Sequence, residues 1–221
     1  MNQDLRKYYN DRAKEYDKVY QIAEEQEDLL KATDLFQSIF KNKSVLEIAC
    51  GTGYWTEQIS KTATSILATD INKAVIDVAK TRNINSNVTF EVVDMNLLNT
   101  GNKYEGFFGG FIWSHILLQD MDKLLGKLNN QIVPKGDIVF IDSKQVEGTN
   151  HDKKRITRVD EYGNTFQRRN LENGATYEVL KNFPTQAFLF DKLSKFATDI
   201  NFFELEYYWI ATCKRKSKHS C

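Results

Sequence analysis

Ten residues, Ser44 to Gly53 (S-V-L-E-I-A-C-G-T-G), constrain this chain more than any other stretch. Val45, Leu46 and Ile48 form an apolar run too short for a helix and closed by two glycines, which predicts a strand and a tight turn. Beyond Gly53, Trp55, Ile59 and Thr62 recur at roughly helical spacing. A strand, a glycine turn and a helix aim backbone N–H groups at a ligand beside the helix N-terminus. Glycine suits that turn because a residue without Cβ lets a ligand lie against the main chain.

The pattern then repeats. Ser65–Asp70 is a second short strand ending in an acid, and Asn72 is placed to cap a helix bearing Ala74, Val75, Val78 and Ala79. Val88–Asp94 is a third strand, also ending in an acid, and Phe107–His115 a fourth. A helix over Met121–Val133 leads through Pro134-Lys135-Gly136, read as a turn, into a fifth strand, Asp137–Asp142. Strands alternating with helices imply a doubly wound, mostly parallel sheet. Ligands of such sheets sit beyond the carboxyl ends of the strands. That edge carries Gly51, Gly53, Asp70, Asp94 and His115.

Residues 2–40 read as helical, with Tyr8, Tyr9 and Tyr16 either packed on the domain or closing over a ligand. Residues 144–165 read as a long polar loop or short irregular helix carrying His151, Lys153, Lys154, Arg155 and Arg158. Phe166–Lys181 reads as a hairpin with a two-residue turn at Asn173-Gly174. A helix over Gln186–Ala197 and a strand over Phe202–Thr212 complete the pattern, followed by a basic tail from Lys214 to Cys221. On that two-residue turn, Arg169 faces Glu178 while Arg168 shares the other face with Lys181.

Thirty basic and thirty acidic residues cancel, so no global field favours nucleic acid or an anionic membrane. No apolar run approaches the ~20 residues of a membrane span. The first residues lack the apolar core of a secretion signal. Three cysteines without a C-x-x-C pair argue against a disulfide framework or a zinc site, so no metal and a cytoplasmic setting are expected. Cys50 reads as a small filler in the turn.

Asp70, seventeen residues after Gly53, suits the two hydroxyls of a ribose, and Asp94 suits an adenine amino group. NAD and S-adenosylmethionine then compete. G-T-G-Y-W-T lacks the third glycine of a pyrophosphate cradle, and Glu47 is poorly placed for phosphate. An acid-rich edge favours S-adenosylmethionine, which has no phosphate and carries a sulfonium and an ammonium.

At these residues the chain resembles class I S-adenosylmethionine-dependent methyltransferases of small-molecule type. V-L-E-I-A-C-G-T-G, Asp70, Asp94 and I-V-P-K-G-D-I-V-F carry the resemblance, with Ala49 where the family has its first glycine. It implies a Rossmann-like, seven-stranded fold with a helical lid over residues 1–40 and a cofactor-binding half over 41–143. A substrate-capping loop and inserted hairpin would occupy 144–183, and a C-terminal helix and strand 184–214. It implies a cofactor site built from Tyr8, Tyr16, Glu47, Ala49, Cys50, Gly51, Gly53 and Trp55, with Asp70, Ile71, Asp94, Met95 and Trp113. The segments R-R-N-L-E-N-G-A-T-Y-E-V-L-K and Y-Y-W-I-A-T-C are similar to a phosphonate O-methyltransferase group from antibiotic biosynthesis, whose hairpin cations contact the substrate anion.

The expected activity is methyl transfer to an oxygen of a small anion, a phosphonate or carboxylate, gripped by Arg168, Arg169 or Lys181 with His115 beside it. His115 is a general base if the acceptor is a neutral hydroxyl or amine, an orienting donor if the acceptor is already ionised, or a structural histidine. The competing classes are a cofactor-binding protein without catalysis and an NAD-dependent oxidoreductase. The acceptor and the oligomeric state are not encoded in these patterns.

Overall fold

In the computed structural model, which describes residues 3–149, 151–152 and 155–217, strand β1 (Ser44–Ile48) is an interior strand, third in the order of a seven-stranded sheet. Lys153, Lys154 and Cys221 lie outside the described residues. The chain runs outward from β1 through β2 (Ser65–Asp70) to β3 (Val88–Val92). It then crosses to the other side of β1 as β4 (Tyr104–Gly110) and β5 (Ile132–Ser143). These five strands are parallel, and the strand order reverses between β1 and β4. A crevice beyond the strand ends opens at such a reversal.

Alternation along the strands divides the core in two. Leu46, Ile48, Phe107 and Phe140 join the apolar cluster with helices α5 (Met121–Asn129) and α6 (Gln186–Ser194). Val45, Phe108 and Val139 join the cluster with α2 (Gln26–Phe40) and α3 (Tyr54–Ser60). Helix α4 (Lys73–Ala79) links β2 to β3.

Several expectations change. Phe202–Thr212 is not one strand but parts of two, β9 (Ala197–Glu204) and β10 (Tyr208–Arg215), which pair antiparallel. The turn between them runs through Leu205, Glu206 and Tyr207, closed by the Leu205 N–H donating to the Tyr208 carbonyl at 2.9 Å. None of these is a usual turn residue, so composition carried no signal. Pro134-Lys135-Gly136 is not a turn before β5 but a bulge within it, where the register against β4 shifts. Helix α5 accordingly stops at Asn129. Strand β3 stops at Val92 and β4 at Gly110, with Trp113–His115 forming a 3-10 turn instead of strand. The loop before the hairpin contains strand β6 (Ile156–Val159), which pairs with β7 (Thr165–Asn170).

The hairpin of β7 and β8 (Thr176–Leu180) has a different turn from the one expected. Leu171 and Ala175 close it, with Glu172, Asn173 and Gly174 as a three-residue loop and Gly174 in the left-handed region at φ 83°. A third loop residue slips the register by one, which turns every side chain to the opposite face. Arg168 therefore faces Glu178, and Arg169 faces Tyr177.

Before the sheet, helix α1 (Gln3–Arg12) packs on this hairpin through Leu5, Tyr8, Leu171, Tyr177 and Val179. The Tyr177 hydroxyl donates to Asp11 at 2.5 Å. Two 3-10 turns, Tyr16–Gln21 and Ala23–Glu25, connect α1 to α2. The N-terminal segment is thus helical with a break, and it bridges the small sheet and the large one.

Candidate active site

The glycine turn after β1 opens a cavity at the strand-order reversal, about 690 Å³ including its mouth. Tyr16, Ala49, Gly51, Asp70, Ile71, Met95 and His115, seven of the residues expected from sequence, line it. Gly51 has φ 55°, and a Cβ built there would meet nothing within 4 Å, so the turn leaves open space on its cavity side. Ala49 is also left-handed, at φ 50°.

Asp70 is buried at the end of β2. Its carboxylate accepts the Gly51 N–H at 3.0 Å and the Asn72 N–H at 2.8 Å, which fixes the turn against the acid. Burial pushes its pKa up, and these backbone donors act against that rise. Two hydrogen bonds leave the carboxylate further lone pairs for a ligand.

Other expected residues lie elsewhere. Gly53 faces α4: a Cβ there would approach Ala79 Cβ to 2.9 Å, so this glycine permits close packing of turn and helix. Glu47 is buried within β1, where it accepts the Thr56 hydroxyl at 2.7 Å, and burial pushes its pKa up to about 8. Cys50 is a buried filler whose thiol pKa is raised by burial. Trp55 packs on Phe36 and Phe108, and Trp113 on Phe140 and Trp209. Asp94 turns back to accept the Asn96 N–H at 2.8 Å and is absent from the walls of the cavity. Tyr8 points to Tyr177, whereas its neighbour Tyr9 enters the cavity. Helical spacing did not contain that distinction, since Leu5 shares a face with both Tyr8 at i+3 and Tyr9 at i+4.

A second cavity, about 1430 Å³ with its mouth, adjoins the first. Tyr9, Tyr16, Phe111 and His115 line both. Its other walls carry Arg12, Arg155, Arg168, Arg169 and Lys181. Arg12, which the sequence reading did not single out, lies over the rings of Tyr8 and Tyr16. Arg158 lies outside this wall, stacked on Phe166 and paired with Glu178 at 3.0 Å.

The corrected register puts Arg169, not Arg168, on the face shared with Lys181, because Lys181 pairs back to Thr165 two steps before Gln167. The Arg169 guanidinium donates to Gln167 Oε1 at 2.6 Å. Lys181 is committed differently: its ammonium donates to Ser114 Oγ at 2.9 Å and to Asp142 at 3.2 Å, a buried ion pair. Burial pushes the Lys181 pKa down, partly offset by Asp142. Burial pushes Asp142 up, but Lys181, His115 and backbone N–H groups outweigh it and hold it below its usual range.

His115 sits between the two cavities. Its Nδ1 lies 2.6 Å from the Leu180 carbonyl, which can only accept, so Nδ1 carries the proton. The neutral ring then accepts the Tyr9 hydroxyl on Nε2 at 2.7 Å. Burial and the nearby Lys181 charge push its pKa down to about 3. Burial raises the Tyr9 hydroxyl pKa further above its ordinary value. Both partners are uncharged at neutral pH.

The 3-10 turn after α1 is tied to the glycine turn. Thr52 Oγ and Arg82 both donate to Asp17, and Arg82 also holds Glu57 at 2.8 Å and the Thr52 carbonyl at 2.6 Å. Tyr20 stacks on Tyr54 with ring centroids 3.9 Å apart.

Among the described residues, no helix is long and apolar enough to cross a membrane, and no cluster of three or more metal-ligating side chains occurs.

Comparisons with known proteins agree with this fold. Residues 45–136 match a family model described as a methyltransferase domain. The malonyl-[acyl-carrier protein] O-methyltransferase of Bacillus cereus is 32% identical over 130 residues, 57% of this chain and 48% of that protein. The chain thus spans about half the length of the curated relatives it matches. A solved complex of DhpI with SAH has a TM-score of 0.80 at 22% identity, covering 98% of this chain and 97% of that one. A complex of DhpI with SAM and HEP has a TM-score of 0.77 at 22% identity, covering 96% and 99%.

Proposed function

We propose that this chain, a methyltransferase-domain protein over residues 45–136, transfers a methyl group from S-adenosylmethionine to an oxygen of a small anion. The observation that carries the reading is the wall shared by two cavities: Tyr9, Tyr16, Phe111 and His115 face a turn-and-acid cradle on one side and a cation-rich chamber on the other.

The first cavity fits the cofactor. Gly51 leaves room for the methionine portion, Asp70 has lone pairs for the ribose hydroxyls, and Ile71, Val75, Val93 and Met95 offer apolar surface for the purine. When bound, the cofactor supplies an electrophilic sulfonium methyl, which an acceptor oxygen takes as the S–C bond breaks and its electron pair returns to sulfur.

The second chamber would hold that oxygen. Arg12 and Arg169 present planar donors suited to a carboxylate or phosphonate. Such an oxygen is ionised near neutral pH and needs no base. His115 is a poor base in any case, since its pKa is pushed down to about 3 and its Nε2 already accepts from Tyr9. Its role here is to hold the Tyr9 ring at the junction, while the aromatic wall excludes water. Positioning then supplies most of the acceleration. The relatives support transfer to oxygen by their name, and the DhpI complex holds SAM together with a second molecule. Asp94 and Lys181 take no direct part in this scheme: one is turned into its own loop, the other is spent on Asp142.

The test is release of S-adenosylhomocysteine during turnover of a panel of small phosphonates, carboxylates, alcohols and amines. Turnover confined to anions is expected. Arg169→Ala should raise the acceptor KM about tenfold or more, the worth of a charge-assisted hydrogen bond, with cofactor affinity held. Asp70→Ala should instead weaken S-adenosylhomocysteine binding by a similar factor. Turnover of neutral or cationic acceptors alone would overturn the anion reading.

A further inference from the structure

The acceptor chamber also contains an acid that the anion scheme does not use. Glu25, at the end of the 3-10 turn before α2, is only 3% exposed yet lines the chamber with His151 and Tyr208. One carboxylate oxygen, Oε2, accepts the Tyr208 hydroxyl. The other, Oε1, lies 3.6 Å from His151 Nε2, beyond hydrogen-bond reach. On the far side of that ring, His151 Nδ1 is buried with no hydrogen-bond partner among the described residues.

Buried polar atoms left without partners are uncommon and ask for a ligand or water. With Nε2–H turned toward Glu25, Nδ1 is an acceptor, so this corner carries the Glu25 charge on one side of the ring and an unpartnered acceptor on the other. A hydroxyl has one hydrogen to give, whereas a primary ammonium has three and a compensating charge. Glu15 and Glu172 also line the chamber, but Glu172 is exposed and paired with Lys18 and Glu15 is only half-buried, so Glu25 is the deeply buried acid among the chamber cations. Tyr208 packs edge-on against Phe111, with centroids 5.5 Å apart, so this corner is continuous with the junction between the cavities.

Building on the methyltransferase reading above, we propose that Glu25 and His151 form a second acceptor subsite that takes an ammonium group. The methyl acceptor is then a zwitterion, held through its anionic group by α1 and hairpin arginines and through its ammonium by Glu25. Glu25 and His151 select the acceptor and take no part in the transfer itself.

The experiment is calorimetric titration of the full chain, saturated with S-adenosylhomocysteine, using alkylphosphonates of two to four carbons and their ω-amino and ω-hydroxy counterparts. The best amino compound should bind about tenfold more tightly than its alkyl match, as a charged hydrogen bond warrants. Glu25→Gln keeps an acceptor for Tyr208 but removes the charge. It should abolish that preference while affinities for the alkyl compound and S-adenosylhomocysteine stay within about twofold. If Glu25→Gln loses S-adenosylhomocysteine binding through misfolding, His151→Gln carries the same test, with a reduced preference expected. Alkylphosphonate binding without an amino preference, or a preference that survives in the folded variant, would overturn the ammonium subsite alone. Failure of every phosphonate and of the matching carboxylates to bind, with S-adenosylhomocysteine still bound, would overturn the anionic-acceptor reading beneath it.

Discussion

Ala49 holds a left-handed φ of 50°, a region that costs a side-chain-bearing residue about 1–2 kcal/mol. The family resemblance puts glycine at this position, and the backbone shows why. Ala49→Gly should therefore raise stability by about 1 kcal/mol, a rise in Tm of some 2–4 °C for a chain of this size. A thermal melt showing no rise would mean the turn relaxes around the methyl. Glu47 offers a pH test. Buried, its carboxyl keeps a proton up to about pH 8, whereas an unfolded chain releases it near 4.3. Between those values the native state binds more protons, so wild-type stability is fully present at low pH and falls as pH rises toward 8. Denaturant titrations should show Glu47→Gln gaining on wild type from pH 5 to 8, and parallel curves would show that Glu47 ionises normally. Gly51 and Asp70 were legible in the sequence because their chemistry at a strand end is specific. Trp55 and Trp113 were not separable from packing residues, since an aromatic near a ligand site and one in the core follow the same periodicity.

At the scale of elements, the parallel half of the sheet was readable because buried strands are continuous apolar runs bounded by turns. The hairpin was readable as a hairpin and misread in register. Asn173-Gly174 suits a two-residue turn and also a three-residue one with glycine in the left-handed position, and local sequence does not separate them. That single residue moved Arg169 to the face of Lys181. The helical N-terminus was visible in the sequence, but its tie to the glycine turn was not, because Asp17, Thr52 and Arg82 meet only in three dimensions. Asp17→Ala removes the acceptor that both Thr52 and Arg82 use. Limited proteolysis before Tyr20 should become several-fold faster in this variant and less protected by S-adenosylhomocysteine, as expected when a segment opens more readily. Unchanged cleavage would assign closure to the Tyr20–Tyr54 stack instead.

Across the whole molecule, equal numbers of acidic and basic residues conceal an uneven arrangement, with arginines from α1, β7 and the segment before β6 gathered around one chamber. Net charge could not reveal that gathering, which depends on the fold. The partition between Tyr9, Tyr16, Phe111 and His115 has a thermodynamic consequence. A partition touched by both ligands makes each one's affinity depend on the other's presence, and linkage requires the factor to be identical in both directions. If ordering these four side chains costs free energy, whichever ligand arrives first bears that cost and the second binds more tightly. On the function proposed above, a seated acceptor would then tighten the binding of the demethylated cofactor, and excess acceptor would act as a brake on turnover.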